Sequence, residues 1–211
     1  MTAYVQNACA PPHLVDDRDP PAIALLKEDH QVFRGLFDLI ETIGGDILLP
    51  VAGELCIRLA IHMNLEEEFL YPSLKSVLDA EEIGDALLDH RHAKRLISNI
   101  MEMPGPEATL RAKLRTLGEE VIRHADQEDR ELLRDARRVW EEGRADLVRV
   151  GVRMQSRRRD LFALVRSIAG DGRAFYVGPP ADAARRPARF GAPVGPEAWL
   201  DGADRVSHGR R

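Results

Sequence analysis

Apolar residues recur every three to four positions through most of this chain, which is the period of a helix. Leu25, Leu26, Phe33, Leu36, Phe37 and Ile40 form one stripe, so a helix is predicted from about Pro21 to Ile43. Pro20-Pro21 suits its start and Gly44-Gly45 its stop. A second helix is predicted from about Pro50 to Leu78, with a kink where Pro72 removes a backbone bond. Asp79-Ala80-Glu81-Glu82 reads as a cap with an acidic first turn, opening a third helix to about Met103. Pro104-Gly105-Pro106 breaks the pattern. A fourth helix is predicted from about Glu107 to Glu142. After Gly143 a fifth runs to about Ile168, with Leu147, Val148, Met154, Leu161, Leu164 and Val165 inward. The pattern predicts an all-α fold.

Outside this region the periodicity stops. Residues 1–20 carry prolines and aspartates, and are expected to be a flexible leader. Residues 169–211 mix proline, glycine, alanine and arginine, and are expected to be a disordered tail. The helical domain is therefore placed at 21–168. A formal charge of -5 argues against nucleic acid as a partner. The two cysteines, Cys9 and Cys56, make no disulfide framework and suit a reducing compartment. The first residues do not resemble a signal peptide, and no apolar run is long enough for a membrane span. A cytoplasmic location is expected.

The polar residues that interrupt the apolar stripes change the picture. His62 and Glu66 are four residues apart, about one helical turn, so they leave one face together. Ile61, Leu65, Phe69 and Leu70 surround them, so the pair is expected to point toward the core. There an unpaired ionisable group is costly and a metal ion would remove the cost. Alone the pair says little. Asp and Glu make up 35 of 211 residues, so a carboxylate four residues after a histidine is a common accident.

A repeat changes those odds. Asp29-His30-x-x-Phe33-Arg34-x-Leu36 matches Asp89-His90-x-x-Ala93-Lys94-x-Leu96 at an offset of 60 residues. Leu59-x-x-His62-x-x-x-Glu66 matches Val121-x-x-His124-x-x-x-Glu128 at an offset of 62. One helical hairpin is used twice, which implies an up-and-down bundle with approximate two-fold symmetry. Residues equidistant from a turn then share a level. His30 and His62 flank the Gly44-Gly45-Asp46 turn, and His90 and His124 flank Pro104-Gly105-Pro106. His62 and His90 nearly flank the Asp79 cap. His30, His62, His90 and His124 should therefore meet at one level, joined by Glu66 and Glu128. Imidazoles with carboxylates from facing helices suit iron, manganese or zinc.

These residues resemble the hemerythrin-like proteins of the HHE cation-binding type. The matching features are Asp29-His30-x-x-Phe33-Arg34, His62-x-x-x-Glu66-Glu67-x-x-Leu70-Tyr71-Pro72, Asp89-His90-x-x-Ala93-Lys94 and His124-x-x-x-Glu128, spanning about residues 22–140. The resemblance implies a four-helix bundle, here with an additional C-terminal helix. It implies two non-heme iron ions held by His30, His62, Glu66, His90, His124 and Glu128, with bridging carboxylates and a bridging oxide or hydroxide. It implies dioxygen, nitric oxide or peroxide as the small ligand.

The departures from the family pattern bear on chemistry. Lys94 stands where oxygen-carrying hemerythrins have a second histidine on the third helix, and Leu132-Leu133-Arg134 replaces a second Leu-Tyr-Pro. Asp129 competes with Glu128, which is favoured because it repeats the Glu66 spacing. With fewer histidines the metal keeps open positions, so the site is expected to react with its ligand rather than carry it reversibly. Oxygen binding or sensing is the first reading. An enzyme acting on peroxide or nitric oxide is the second, and a metal-free helical interaction module the third. Glu67 is expected in solvent, with an extra ligand role as the alternative, and Tyr71 in simple packing, with lining the site as the alternative; Cys56 is expected in the core and His92 facing away. Arg153, Arg157, Arg158 and Arg159 are expected to form a solvated basic face.

Overall fold

The computed structural model describes residues 18–169, and every regular element among them is helical. The leader and tail calls fall almost wholly outside the described residues, as do Cys9, His13 and His208. Helix α1 spans Pro21–Thr42, and a short 3-10 turn, Gly45–Ile47, leads into α2, Leu48–Leu65. A π-helical turn, Glu66–Leu70, carries α2 into α3, Tyr71–Leu74. Then come α4, Ala80–Glu102, α5, Glu107–Arg130, α6, Leu132–Glu141, and α7, Leu147–Ala169.

The caps follow from local chemistry. The Asp79 carboxylate accepts the Glu81 N–H at 3.0 Å, as its position before the acidic turn predicts. Gly45, Gly105 and Gly143 take the left-handed backbone that closes their turns, with φ near +61°, +72° and +70°. Arg111 of α5 donates to the carbonyls of Ile40 and Ile43, so the second hairpin closes the open end of α1.

Two long predicted helices are interrupted, one of them at the expected kink. Pro72 has no N–H to give, and the chain upstream widens into the π turn, where Tyr71 N–H bonds Glu66 C=O instead of the carbonyl four back. The predicted fourth helix breaks at Glu131, whose φ of -115° and ψ of -78° leave the helical region. By the repeat offset of 62 this position matches Phe69, inside the π turn, so both hairpins are irregular at the same place.

Helix α1 packs on α2, α5 and α7, and α4 packs on α5 and α2. The apolar side chains form two clusters rather than one. The first joins Ala22 to Leu26, Leu65 to Leu74, Ile83, Ala86 and the inward residues of α6 and α7. The second joins Phe33 to Ile40, Leu48 to Met63, Ala93 to Ile100 and Leu110 to Val121. Along α1, α4 and α5 the chain passes from one cluster to the other at His30, His90 and His124. Cys56 lies in the second cluster, where burial pushes its thiol up to about 12. Two expected core residues of α7, Val148 and Leu164, are exposed. No helix among the described residues is long and apolar enough to cross a membrane.

Candidate metal centre

Between the two apolar clusters lies a polar layer. Asp29, His30, His62, Glu66, His90 and Glu128 are buried there, and His124 is nearly so. The six residues singled out by the repeat fall into two overlapping groups. One is His30, His62, Glu66 and Glu128; the other is Glu66, His90 and His124. Within each group the candidate ligand atoms lie within 4.8 Å of one another. The His30 and His62 rings are 5.0 Å apart and the His90 and His124 rings 4.9 Å apart.

The two glutamates lie between the histidine pairs. Glu66 places one oxygen 3.3 Å from His62 Nε2 and the other 3.2 Å from His90 Nε2. Glu128 Oε2 is 3.5 Å from both His30 Nε2 and His124 Nε2. The π turn and the break at Glu131 occur where these glutamates leave their helices, and such irregularities re-aim side chains.

Part of what faces inward lacks partners, although His90 Nε2 and His124 Nε2 lie 3.2 Å apart. His30 Nε2, both oxygens of Glu66 and Glu128 Oε2 are buried with no hydrogen bond. The short separations around Glu66 and the 3.5 Å contacts of Glu128 are therefore electrostatic contacts rather than hydrogen bonds. A buried carboxylate whose two oxygens accept nothing is expensive, and native proteins rarely leave one so. A cation between the histidine pairs would satisfy every one of these atoms at once. The donor set fits a first-row transition metal, since it combines imidazole with carboxylate and contains no thiolate.

The outward side of each imidazole is held differently. His30 Nδ1 meets Asp129 at 2.9 Å, His90 Nδ1 meets Glu67 at 2.8 Å, and His62 Nδ1 meets Asp29 at 3.3 Å. His124 Nδ1 lies 3.5 Å from Asp89. A carboxylate on the far nitrogen fixes the tautomer and turns Nε2 toward a metal. Each carboxylate has its own cation. Asp129 takes Arg34 at 3.2 Å, Glu67 takes Lys94 at 2.7 Å, Asp29 takes Arg158 at 2.5 Å and Asp89 takes Arg123 at 2.8 Å.

Three corrections follow, for Glu67, Tyr71 and the basic run of α7. Glu67, expected in solvent, is the partner of His90. Tyr71, expected only to pack, donates its hydroxyl to Glu128 Oε1 at 2.9 Å and stands 3.2 Å from His90 Nε2. Asp129 sits on the outer nitrogen of His30, while Glu128 faces inward. The basic run of α7 is only in part a solvated face: Arg153 and Arg159 are exposed, but Arg153 lies over the Phe69 ring, Arg157 pairs with Glu68 and Arg158 pairs with the buried Asp29. The missed carboxylates were signalled by the repeat itself, since Asp29 and Asp89 share its offset of 60 and Glu67 and Asp129 its offset of 62.

The charges of the layer are coupled. Burial opposes protonation of His30, but Asp129 and Glu128 outweigh it and raise its pKa to about 10. Burial likewise opposes protonation of His90, and Glu66 and Glu67 overcome it, giving about 9. Glu128 is held well below its ordinary value: burial pushes it up, but His124, His30 and His90 outweigh that. His124 goes the other way, and burial lowers it. Burial, with Glu128 and Glu66 nearby, keeps the Tyr71 phenol well above its ordinary value. Without a metal the layer is balanced by protons on imidazoles, and those are the protons a metal would displace.

No curated protein and no solved structure matches the chain. The family model of the hemerythrin HHE cation-binding domain matches residues 22–136, which cover more than half of the chain and all six inward-facing residues. With two imidazole pairs joined by two carboxylates inside that matched region, the chain belongs to the hemerythrin HHE cation-binding family.

Proposed function

We propose that this domain holds two non-heme iron ions and binds dioxygen or a related small ligand at them. In this reading α1, α2, α4 and α5 form an up-and-down four-helix bundle, within a helical domain at 21–168 that works in the cytoplasm. His30, His62, His90, His124, Glu66 and Glu128 would hold the irons, with the two glutamates between the histidine pairs. One observation carries the reading: the partnerless atoms of His30, Glu66 and Glu128 converge between the two histidine pairs.

Iron at this place supplies open coordination positions and reversible redox chemistry. The chain does the rest. Asp129, Asp29, Glu67 and Asp89 hold the imidazoles so that Nε2 faces inward. Phe33, Leu59, Met63, Ala93, Val121 and Ala125 help wall a cavity of about 20 Å³ against His30, His62, His90 and His124. That is room for a molecule of about water's size, which suits a small ligand. The apolar walls keep bulk water from competing.

Peroxide chemistry is the second reading, and Tyr71 favours it. Its phenol stays protonated beside Glu128 and His90, so it is a proton store at the ligand side. The two readings share a first test. Protein loaded anaerobically with Fe(II) should hold about two irons per chain and, on exposure to air, develop oxo-bridge charge-transfer bands. A stable protein that takes up no iron sinks both. Catalysed loss of peroxide that Tyr71→Phe abolishes, with iron retained, selects the second.

A further inference from the structure

The repeat accounts for the outer layer of the centre except at one place. His30–Asp129–Arg34 and His90–Glu67–Lys94 superimpose residue by residue at offsets of 60 and 62. His62–Asp29 and His124–Asp89 do the same. The cations on the second pair do not. Asp89 takes Arg123, the residue just before His124 on α5. The matching position before His62 is Ile61, which is buried and apolar. Asp29 takes Arg158 instead, from α7, which lies beyond the matched region of 22–136.

The docking of α7 is built for this. Ile61 packs in the same apolar cluster as Leu147, Val150, Met154 and Leu161 of α7. Thus the residue that forfeits the local arginine forms part of the seat of the helix that supplies another. Gly151 lets α7 touch the start of α1, where a Cβ would come within 2.4 Å of Ala22 N and 2.6 Å of Pro21 C. One helical turn or two beyond, Arg157 reaches Glu68 and Arg158 reaches Asp29. The register of α7 on α1 therefore sets where the guanidinium falls.

We propose that α7 is a positioning element of the metal centre. Arg158 fixes Asp29, Asp29 fixes the outer nitrogen of His62, and the two ends of the centre are thereby made inequivalent. The inference rests on the two-iron reading for its metal readout, and on this chain's own contacts for its second. Arg158 touches no ligand atom; it acts through Asp29. Loss of an outer-shell partner of a metal-bound histidine commonly costs 10- to 100-fold in affinity.

The test uses the full chain in two measurements. In the first, iron-loaded protein is challenged anaerobically with a chelator. Arg158→Met should release one iron of the two roughly 10- to 100-fold faster and the other at the wild-type rate. Arg158→Lys should recover part of the loss, and Gly151→Ala should mimic it while leaving Arg158 in the sequence. Arg159→Met, on the exposed side of the same helix, should match wild type. In the second, long-range 1H–15N spectra of metal-free protein report the imidazole tautomers. Arg158→Met should release His62 from its single Nδ1-bonded tautomer and leave His124 unmoved. Equal acceleration of both irons, or wild-type release of both, overturns the proposal. If wild type takes up no iron, the proposed function fails, and an unchanged His62 spectrum in Arg158→Met then overturns this inference separately.

Discussion

The two hairpins place the same pair, an aspartate on the outer nitrogen of a histidine, in different surroundings. In the first, His62 is 3% exposed and Asp29 7%, with Arg158 of α7 across them. In the second, His124 is 12% exposed and Asp89 22%, and Arg123 is 55% exposed at the surface. Among the described residues no helix matching α7 covers this second pair. The comparison teaches that a repeat can conserve a contact while its energetics diverge. An ion pair open to water contributes about 0–1 kcal/mol and is screened. The Arg158–Asp29 pair is less open, with Arg158 25% and Asp29 7% exposed, so removing either member costs more.

The largest expected effect removes the residue common to both ends. Glu66→Met should abolish iron loading at both positions, because both oxygens of Glu66 are shared between the histidine pairs. The same change should lower the urea midpoint of the metal-free protein, since it removes a buried carboxylate that helps keep His90 protonated and leaves that charge uncompensated. Metal content and urea denaturation measure the two. Unchanged iron with a lowered midpoint would mean that Glu66 is structural and that the centre lies elsewhere.

The next pair of variants breaks the comparison itself. Asp29→Asn leaves Arg158, 25% exposed, without its partner and frees His62. Asp89→Asn leaves Arg123 free to turn into solvent. Chelator-challenge rates should rise toward 100-fold for the first and stay near 10-fold for the second, for one iron in each case. Equal effects would show that the cover given by α7 contributes nothing.

Proton linkage is a smaller effect of known sign. His30 and His90 have folded pKa values raised to about 10 and about 9 from an ordinary 6.5. Their stabilising contribution is complete below about 6.5 and disappears as the pH rises through those values. His124, whose pKa is lowered, costs stability below 6.5 instead. Glu128, Asp129 and Glu67 are lowered, so their contribution is present above their ordinary pKa values and lost as acid protonates them. Metal-free protein should therefore lose urea resistance between pH 7 and 10, and again in acid. Metal-loaded protein should lack the alkaline decline, because imidazoles bound through Nε2 are already neutral and have no second proton to lose. Urea midpoints across pH, with and without iron, check this.

Salt should give the smallest difference. Raising ionic strength from 0.05 to about 1 M shortens the screening length to about 3 Å and weakens the open Arg123–Asp89 pair before the covered Arg158–Asp29 pair. The faster-releasing iron in wild type at high salt should thus be the one whose release Arg123→Met no longer changes.

Much of the centre was legible before any coordinates, for a specific reason. Helical period puts His62 with Glu66 and His124 with Glu128, and turn positions put all four histidines at one level. These are consequences of rise and angle per residue, which the order of residues carries directly. The Asp-His pairs were legible too, but not their crossing: Asp29 serves His62 rather than its neighbour His30, because adjacent residues on a helix point about 100° apart. The π turn was read only as a kink, since Pro72 announces a lost bond and not how the preceding turn relaxes.

By itself, then, the sequence determined the helices, the repeat and the six inward-facing donors, since all depend on local geometry applied twice. Only the tertiary structure decided which carboxylate holds which imidazole, that Tyr71 reaches Glu128, and that Arg158 stands in for an arginine missing before His62. Those choices depend on the register between helices far apart in the chain. That register is set by packing, such as the seat of Gly151 on the start of α1, which no period along the chain encodes.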